Sequence, residues 1–93
     1  MTLFIETLDA LITQRHDSPK EGSYTSKLFL EGRDRILKKI GEEAGEVIIA
    51  AKNDDAEELK QEAADLLYHL LVTLRDQGIS LADVDAVLKK RHQ

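Results

Sequence analysis

No cysteine occurs in the 93-residue sequence, which excludes disulfides and thiolate metal sites. One proline and two phenylalanines argue against an all-β domain. Positive charge is not in excess. Thirteen Lys and Arg against 18 Asp and Glu leave a net charge of −5, unsuited to bulk nucleic acid or an anionic membrane surface. No apolar run reaches the roughly 20 residues of a bilayer span. The stretch from Met1 to Ile12 carries Glu6 and Asp9 and lacks the basic start and apolar core of a secretory signal. These absences predict a cytoplasmic protein with neither a nucleic-acid nor a membrane partner. The length predicts a single domain over residues 1–93. A core this small is marginal for a lone monomer, so oligomerisation is the remaining way to enlarge it.

What is abundant favours helix: Leu, Ala, Glu and Lys dominate. The spacing of Phe4, Leu8, Leu11 and Ile12 predicts a first helix over about Thr2 to Arg15. His16 to Gly22, with Pro19 inside it, reads as a loop. Ser23 to Ser26 offers N-caps for a short helix ending near Leu30, and Gly32 marks a break. A long helix over Arg33–Lys52 should turn Ile36, Leu37, Ile40, Ala44, Val47, Ile48 and Ala51 inward. Asn53-Asp54-Asp55 is a tight turn, with Asp55 or Asp54 capping the next helix. That helix runs to about Gln77, with Leu59, Ala63, Leu66, Leu67, Leu70, Leu71 and Leu74 inward and Gly78 as C-cap. Ser80 with Asp83 starts a last helix, whose apolar side is Leu81, Val84, Val87 and Leu88. The predicted class is all-α, a helical bundle built on one long antiparallel αα-hairpin.

The chemistry-bearing residues lie on that hairpin. Glu43 and Glu46 are three apart on its first helix, and Glu62 and Asp65 three apart on its second. The two pairs mirror one another about Asp54, which matches Glu43 with Asp65 and Glu46 with Glu62. Taking Ala44 and Ala63 as the centres of the apolar arcs, each pair falls roughly 100–160° to the same side. Four carboxylates should therefore line one groove. Two unit charges about 4 Å apart repel by about 4 kcal/mol at an effective dielectric of 20. A hard cation such as Mg²⁺ removes that repulsion and can be shared with substrate phosphates. The bland alternative is a solvated acidic face on a non-enzymatic interaction module.

Lys39 precedes Glu43 by one turn, placed either to contact a polyphosphate or to form an ordinary i,i+4 salt bridge. His69 mirrors Lys39, as either a bundle histidine or a ligand. Glu42 and Glu58 stand at the groove edge.

Glu43-x-x-Glu46, 15 residues, then Glu62-x-x-Asp65 resembles the signature of the all-α nucleoside-triphosphate pyrophosphatase superfamily. The flanks narrow this. Ser23-Tyr24-Thr25 with Lys27-Leu28, the Gly32 to Lys39 run, Gly41-Glu42-Glu43-Ala44 and Asp65 to Leu71 resemble the phosphoribosyl-ATP pyrophosphohydrolase family. The likeness covers nearly the whole chain. It implies a Mg²⁺-dependent homodimer that hydrolyses phosphoribosyl-ATP to phosphoribosyl-AMP and pyrophosphate in histidine biosynthesis. It further implies Glu43, Glu46, Glu62 and Asp65 as metal ligands and Glu42 or Glu43 as the base. Lys39 becomes the phosphate contact, and Ser23, Tyr24, Thr25 and Lys27 the clamp on the rest of the substrate. A broader nucleotide pyrophosphatase would share the four acids and differ mainly between Ser23 and Lys39.

Overall fold

The computed structural model describes residues 3–93. It consists of five α-helices, with no strand among the described residues: α1 (Phe4–Asp17), α2 (Tyr24–Glu31), α3 (Arg33–Lys52), α4 (Ala56–Asp76) and α5 (Leu81–Arg91). None of the helices among those residues is long and apolar enough to cross a membrane. Thr2, the expected start of the first helix, lies outside the described residues.

Local chemistry sets most boundaries. α1 continues two residues past the expected Arg15 and stops at Ser18, where the following Pro19 disfavours helical backbone. His16, expected in the loop, lies on its last turn with its ring edge against Phe29, 4.8 Å between centroids. Ser23 caps α2 by accepting from the Ser26 amide. Gly32 has φ +102°, a conformation that L side chains rarely adopt, and this breaks α2 from α3.

The hairpin turn is a Schellman closure of α3. The Asp54 amide donates to the Ala51 carbonyl and the Asp55 amide to that of Ala50, with Asp54 itself left-handed at φ 53°. Asp and Asn are the side-chain-bearing residues that best tolerate that region. Asp55 is the cap of α4, accepting from the Glu58 amide at 3.1 Å. A second Schellman closure ends α4, with the amides of Gly78 and Ile79 on Arg75 and Leu74. Ser80 and Asp83 form a full capping box at the start of α5.

α3 and α4 make the principal pair, α1 packs on α4, and α2 bridges α1, α3 and α4. Ile12, Leu28, Ile36, Leu71 and Val72 form the buried core where α1 and α2 cross the hairpin. α5 buries no residue fully, and an open groove of about 530 Å³ separates it from α1.

The inward faces of α3 and α4 differ from expectation. Leu37, Ile48, Ala51, Leu67 and Leu70, all expected inside, are exposed; Ile48 remains 65% accessible and its neighbour Ile49 61%. Both helices are instead turned so that Ile36, Glu43 and Ala50 of α3, and Glu62, His69 and Val72 of α4, lie inside. The hairpin carries apolar residues on two sides, and α1 and α2 cover the side that also holds the acids.

Candidate functional site

The site is built on α2, α3 and α4. Two acids are drawn into the bundle, Glu43 and Glu62, each only 9% exposed, and beside them lies His69 at 5%. Glu46 and Asp65, the other members of the two pairs, stay at the surface.

Across the hairpin the mirrored couple Glu46 and Glu62 meets, as their symmetry about Asp54 predicts. Glu58, one turn before Glu62, joins them. Hydrogen bonding with Glu46 and then Glu58, reinforced by burial and by the charges of both neighbours, pushes the Glu62 carboxyl up to about 8 from its ordinary 4.5. Only one partner in such a contact can be ionised without strong repulsion, so a proton is held there. Glu58 was expected at the groove edge; in the structure its carboxyl turns to Glu62 and does not close a capping box with Asp55.

The other couple, Glu43 and Asp65, is linked only through His69, which touches the Glu43 carboxylate and the Asp65 backbone, not the Asp65 carboxylate. Glu43 Oε1 lies 2.5 Å from Nδ1 of His69. The same nitrogen donates along a well-aligned bond to the Asp65 backbone carbonyl at 3.0 Å. A ring nitrogen has one hydrogen, and the alignment gives it to Asp65. Glu43 Oε1 is therefore a buried carboxylate oxygen touching an N–H dipole but without a properly directed donor. Glu62 Oε2 is likewise buried without a donor. Buried carboxyl oxygens ordinarily find partners, and two such orphans on facing helices are unanswered acceptors in the same wall. Among the described residues no three acids or imidazoles converge closely enough to grip an ion as they stand. The arrangement is an open acidic wall rather than a closed cage.

α2 supplies the flank. The Tyr24 hydroxyl lies 3.2 Å from His69 Nε2, and the Thr25 hydroxyl bonds that of Tyr68. The Tyr24 and Tyr68 rings stack at 6.2 Å, and Tyr68 presents an edge to His69 at 4.9 Å. Partial burial raises the Tyr24 hydroxyl above its usual pKa; Arg35 opposes this, while Glu43, Glu31 and Asp65 add to it. Burial also raises Tyr68, against the lowering effect of its bond to Thr25.

The remaining expected residues are distributed as follows. Ser23 is half-buried and caps α2; Lys27 points to solvent one turn on. Lys39 is half-buried on α3 and, among the described residues, forms no ion pair, because Glu43 turns to His69 instead. Glu42 is exposed. A contact with no signal in the sequence is that of Ser26, whose buried hydroxyl donates to the Arg15 carbonyl and accepts from the Lys20 amide, tying the α1–α2 loop down.

Known proteins match this chain along almost its full length. A family model described as phosphoribosyl-ATP pyrophosphohydrolase matches residues 5–92. The histidine biosynthesis bifunctional protein HisIE of Bacillus subtilis is 66% identical over 85 residues, covering 91% of this chain and 41% of that protein. The phosphoribosyl-ATP pyrophosphatase of Streptococcus gordonii is 58% identical over 87 residues, covering 94% of this chain and 84% of that protein. That of Clostridium botulinum is 52% identical over 89 residues, with 96% and 81% covered. The chain thus spans about two-fifths of the length of the bifunctional relatives, at 41% and 42%, and most of the length of the single-function ones.

Proposed function

Because this chain belongs to the phosphoribosyl-ATP pyrophosphohydrolase family, we propose that it hydrolyses phosphoribosyl-ATP to phosphoribosyl-AMP and pyrophosphate, the second step of histidine biosynthesis, in the cytoplasm. The observation that carries the reading beyond the family match is the pair of orphaned carboxylate oxygens, Glu43 Oε1 and Glu62 Oε2. Their chemistry fits a hard divalent cation, which satisfies anionic oxygen where a hydrogen-bond donor is missing.

Glu43, Glu46, Glu62 and Asp65 are the residues that would hold Mg²⁺. When bound, it would supply positive charge to phosphate oxygens during attack on the α–β anhydride. Lys39, one turn from Glu43 and not committed to a salt bridge, would give its ammonium to the polyphosphate. The base that takes the proton of the attacking water would be Glu42 or Glu43, adjacent carboxylates at the mouth and the wall of the groove. Ser23, Tyr24, Thr25 and Lys27 would clamp the remainder of the substrate. The stripe of Leu37, Ile48, Ile49, Leu67 and Leu70 would be covered by a second copy, making the active form a homodimer. All five are large apolar side chains left exposed on the hairpin.

The test is pyrophosphate release from phosphoribosyl-ATP, set beside a panel of plain nucleoside triphosphates, with Mg²⁺ and with chelator. Release from phosphoribosyl-ATP should be fastest and should vanish with chelator. Faster turnover of a plain triphosphate would overturn the substrate, and undiminished release in chelator would overturn the ion.

A further inference from the structure

His69 touches every element of the site. It stands on α4, one turn beyond Asp65, whose carbonyl accepts from Nδ1 at 3.0 Å. Glu43 of α3 lies 2.5 Å from that nitrogen. Tyr24 of α2 lies 3.2 Å from the other nitrogen. Its side chain is only 7% exposed, and Tyr68 packs its ring at 84° to the imidazole plane. The imidazole is buried, yet each of its nitrogens faces a polar protein atom and not an apolar side chain.

The contacts define the tautomer. Two oxygens, one of them anionic, crowd Nδ1, and a lone pair there would be repelled by both. The hydrogen therefore sits on Nδ1, which leaves Nε2 as an acceptor in the neutral ring. The Tyr24 hydroxyl can then only donate to Nε2. This donation holds the ring in that tautomer and at that angle. In turn the Nδ1–H dipole fixes the position of the Glu43 carboxylate through Oε1, and leaves that oxygen without a directed donor of its own.

We propose that His69 is a positioning residue for the Glu43 carboxylate, and that Tyr24, by donating to Nε2, sets the tautomer and angle His69 needs for the task. The role rests on the reading of Glu43 as a Mg²⁺ ligand. It differs from ligation, since both ring nitrogens are engaged by protein groups. It also gives Tyr24 a task separate from touching substrate, and ties the α2 segment mechanically to the ion site. Partners that orient metal ligands in this way are worth roughly 10- to 100-fold in metal affinity.

The experiment titrates Mg²⁺ alone, without nucleotide, into the unaltered protein, His69→Ala, His69→Asn and Tyr24→Phe by calorimetry, with circular dichroism to confirm the helical fold. The Asn amide nitrogen overlies Nδ1 and keeps its donor, so His69→Asn isolates that bond. His69→Ala should bind Mg²⁺ about 10- to 100-fold more weakly, His69→Asn should recover most of the loss, and Tyr24→Phe should weaken binding by up to about tenfold. Equal Mg²⁺ affinity in a folded His69→Ala, or no recovery in His69→Asn, would overturn the inference alone. If His69→Ala loses its helical signal, Tyr24→Phe decides, and affinity equal to the unaltered protein overturns the claim. Absence of Mg²⁺ binding in the unaltered protein would remove both the ion and the role built on it.

Discussion

Replacing Glu62 by Gln separates stability from function at a single side chain. In the ion-free protein Glu62 is held near 8 by hydrogen bonds with Glu46 and Glu58, against 4.5 for an ordinary glutamate. The folded-state value is raised, so between those two pH values the folded chain holds a proton that the unfolded chain has released. Stability then falls as pH rises through the window, because the unfolded state binds fewer protons. Around the middle of the window the difference is about one proton per chain from this group. Gln is neutral at every pH in that range, has nearly the same shape, and can donate to Glu46 and Glu58. Melting followed by circular dichroism in chelator should show the unaltered protein losing stability from about pH 5 to about pH 8. The slope for Glu62→Gln should be shallower by about one proton, with the largest gain in melting temperature at the alkaline end. Added Mg²⁺ should reverse the ranking at high pH, since an ion that binds only the folded state stabilises it by mass action and displaces that proton. Pyrophosphate release by Glu62→Gln should collapse. Parallel pH slopes in chelator would show that Glu62 does not hold a proton among its neighbours, and the account of the acidic wall would fall with it.

The apolar stripe and the weakly seated last helix give two further expectations. Ile48→Glu puts a charge in the middle of the outer stripe. In sedimentation the unaltered protein should run at about twice the 10.5 kDa chain mass and the variant near that mass; an unaltered protein already monomeric would refute the homodimer. Ser80→Ala removes half of the α5 capping box and should lower stability by about 1 kcal/mol, seen first as faster amide exchange over Leu81–Arg91. Hydrogen bonds from Ser80 hold the Asp83 carboxyl below its ordinary 3.8. Its stabilising effect is therefore present above that value and fades as pH falls through the lower folded one, so uniform protection of α5 down to that acid range would refute it.

How far each feature is legible depends on whether a local rule governs it. Ser23, Asp55, Ser80 with Asp83, Gly32 and Gly78 act through backbone hydrogen bonds and dihedral angles within a few residues, and all six stand where their chemistry requires. The meeting of Glu46 with Glu62 is legible because a short turn at Asp54 enforces a mirror, whatever surrounds it. The inward face is not legible in the same way. α3 carries Ile36, Ile40, Val47 and Ala50 towards one side and Leu37, Ile48 and Ile49 towards another. A single periodic arc centred on Ala44 averages the two, and the true inward direction is set by where α1 and α2 cross. His69 is hidden for a geometric reason. By level it mirrors Lys39, four residues short of Glu43. Side chains on a helix lean towards its N-terminus, so the imidazole reaches back to the level of Asp65, which is the level of Glu43.

The placement of the acids also bears on what kind of protein this is. A core of five fully buried apolar residues leaves little surplus stability in a chain of 93. Yet the same interior encloses Glu43 and Glu62, each with an oxygen that lacks a directed donor. An interaction module that needed only a stable hairpin would gain by replacing both with Leu or Met, since a buried unpartnered carboxylate opposes folding. Ile48 and Leu67, exposed on the same two helices, show that such side chains are available to the hairpin and are placed elsewhere. Ionisable groups retained inside against stability are the expected signature of a site whose partner arrives as a ligand. Under the proposed function that ligand is a divalent ion, which would answer both orphaned oxygens at once.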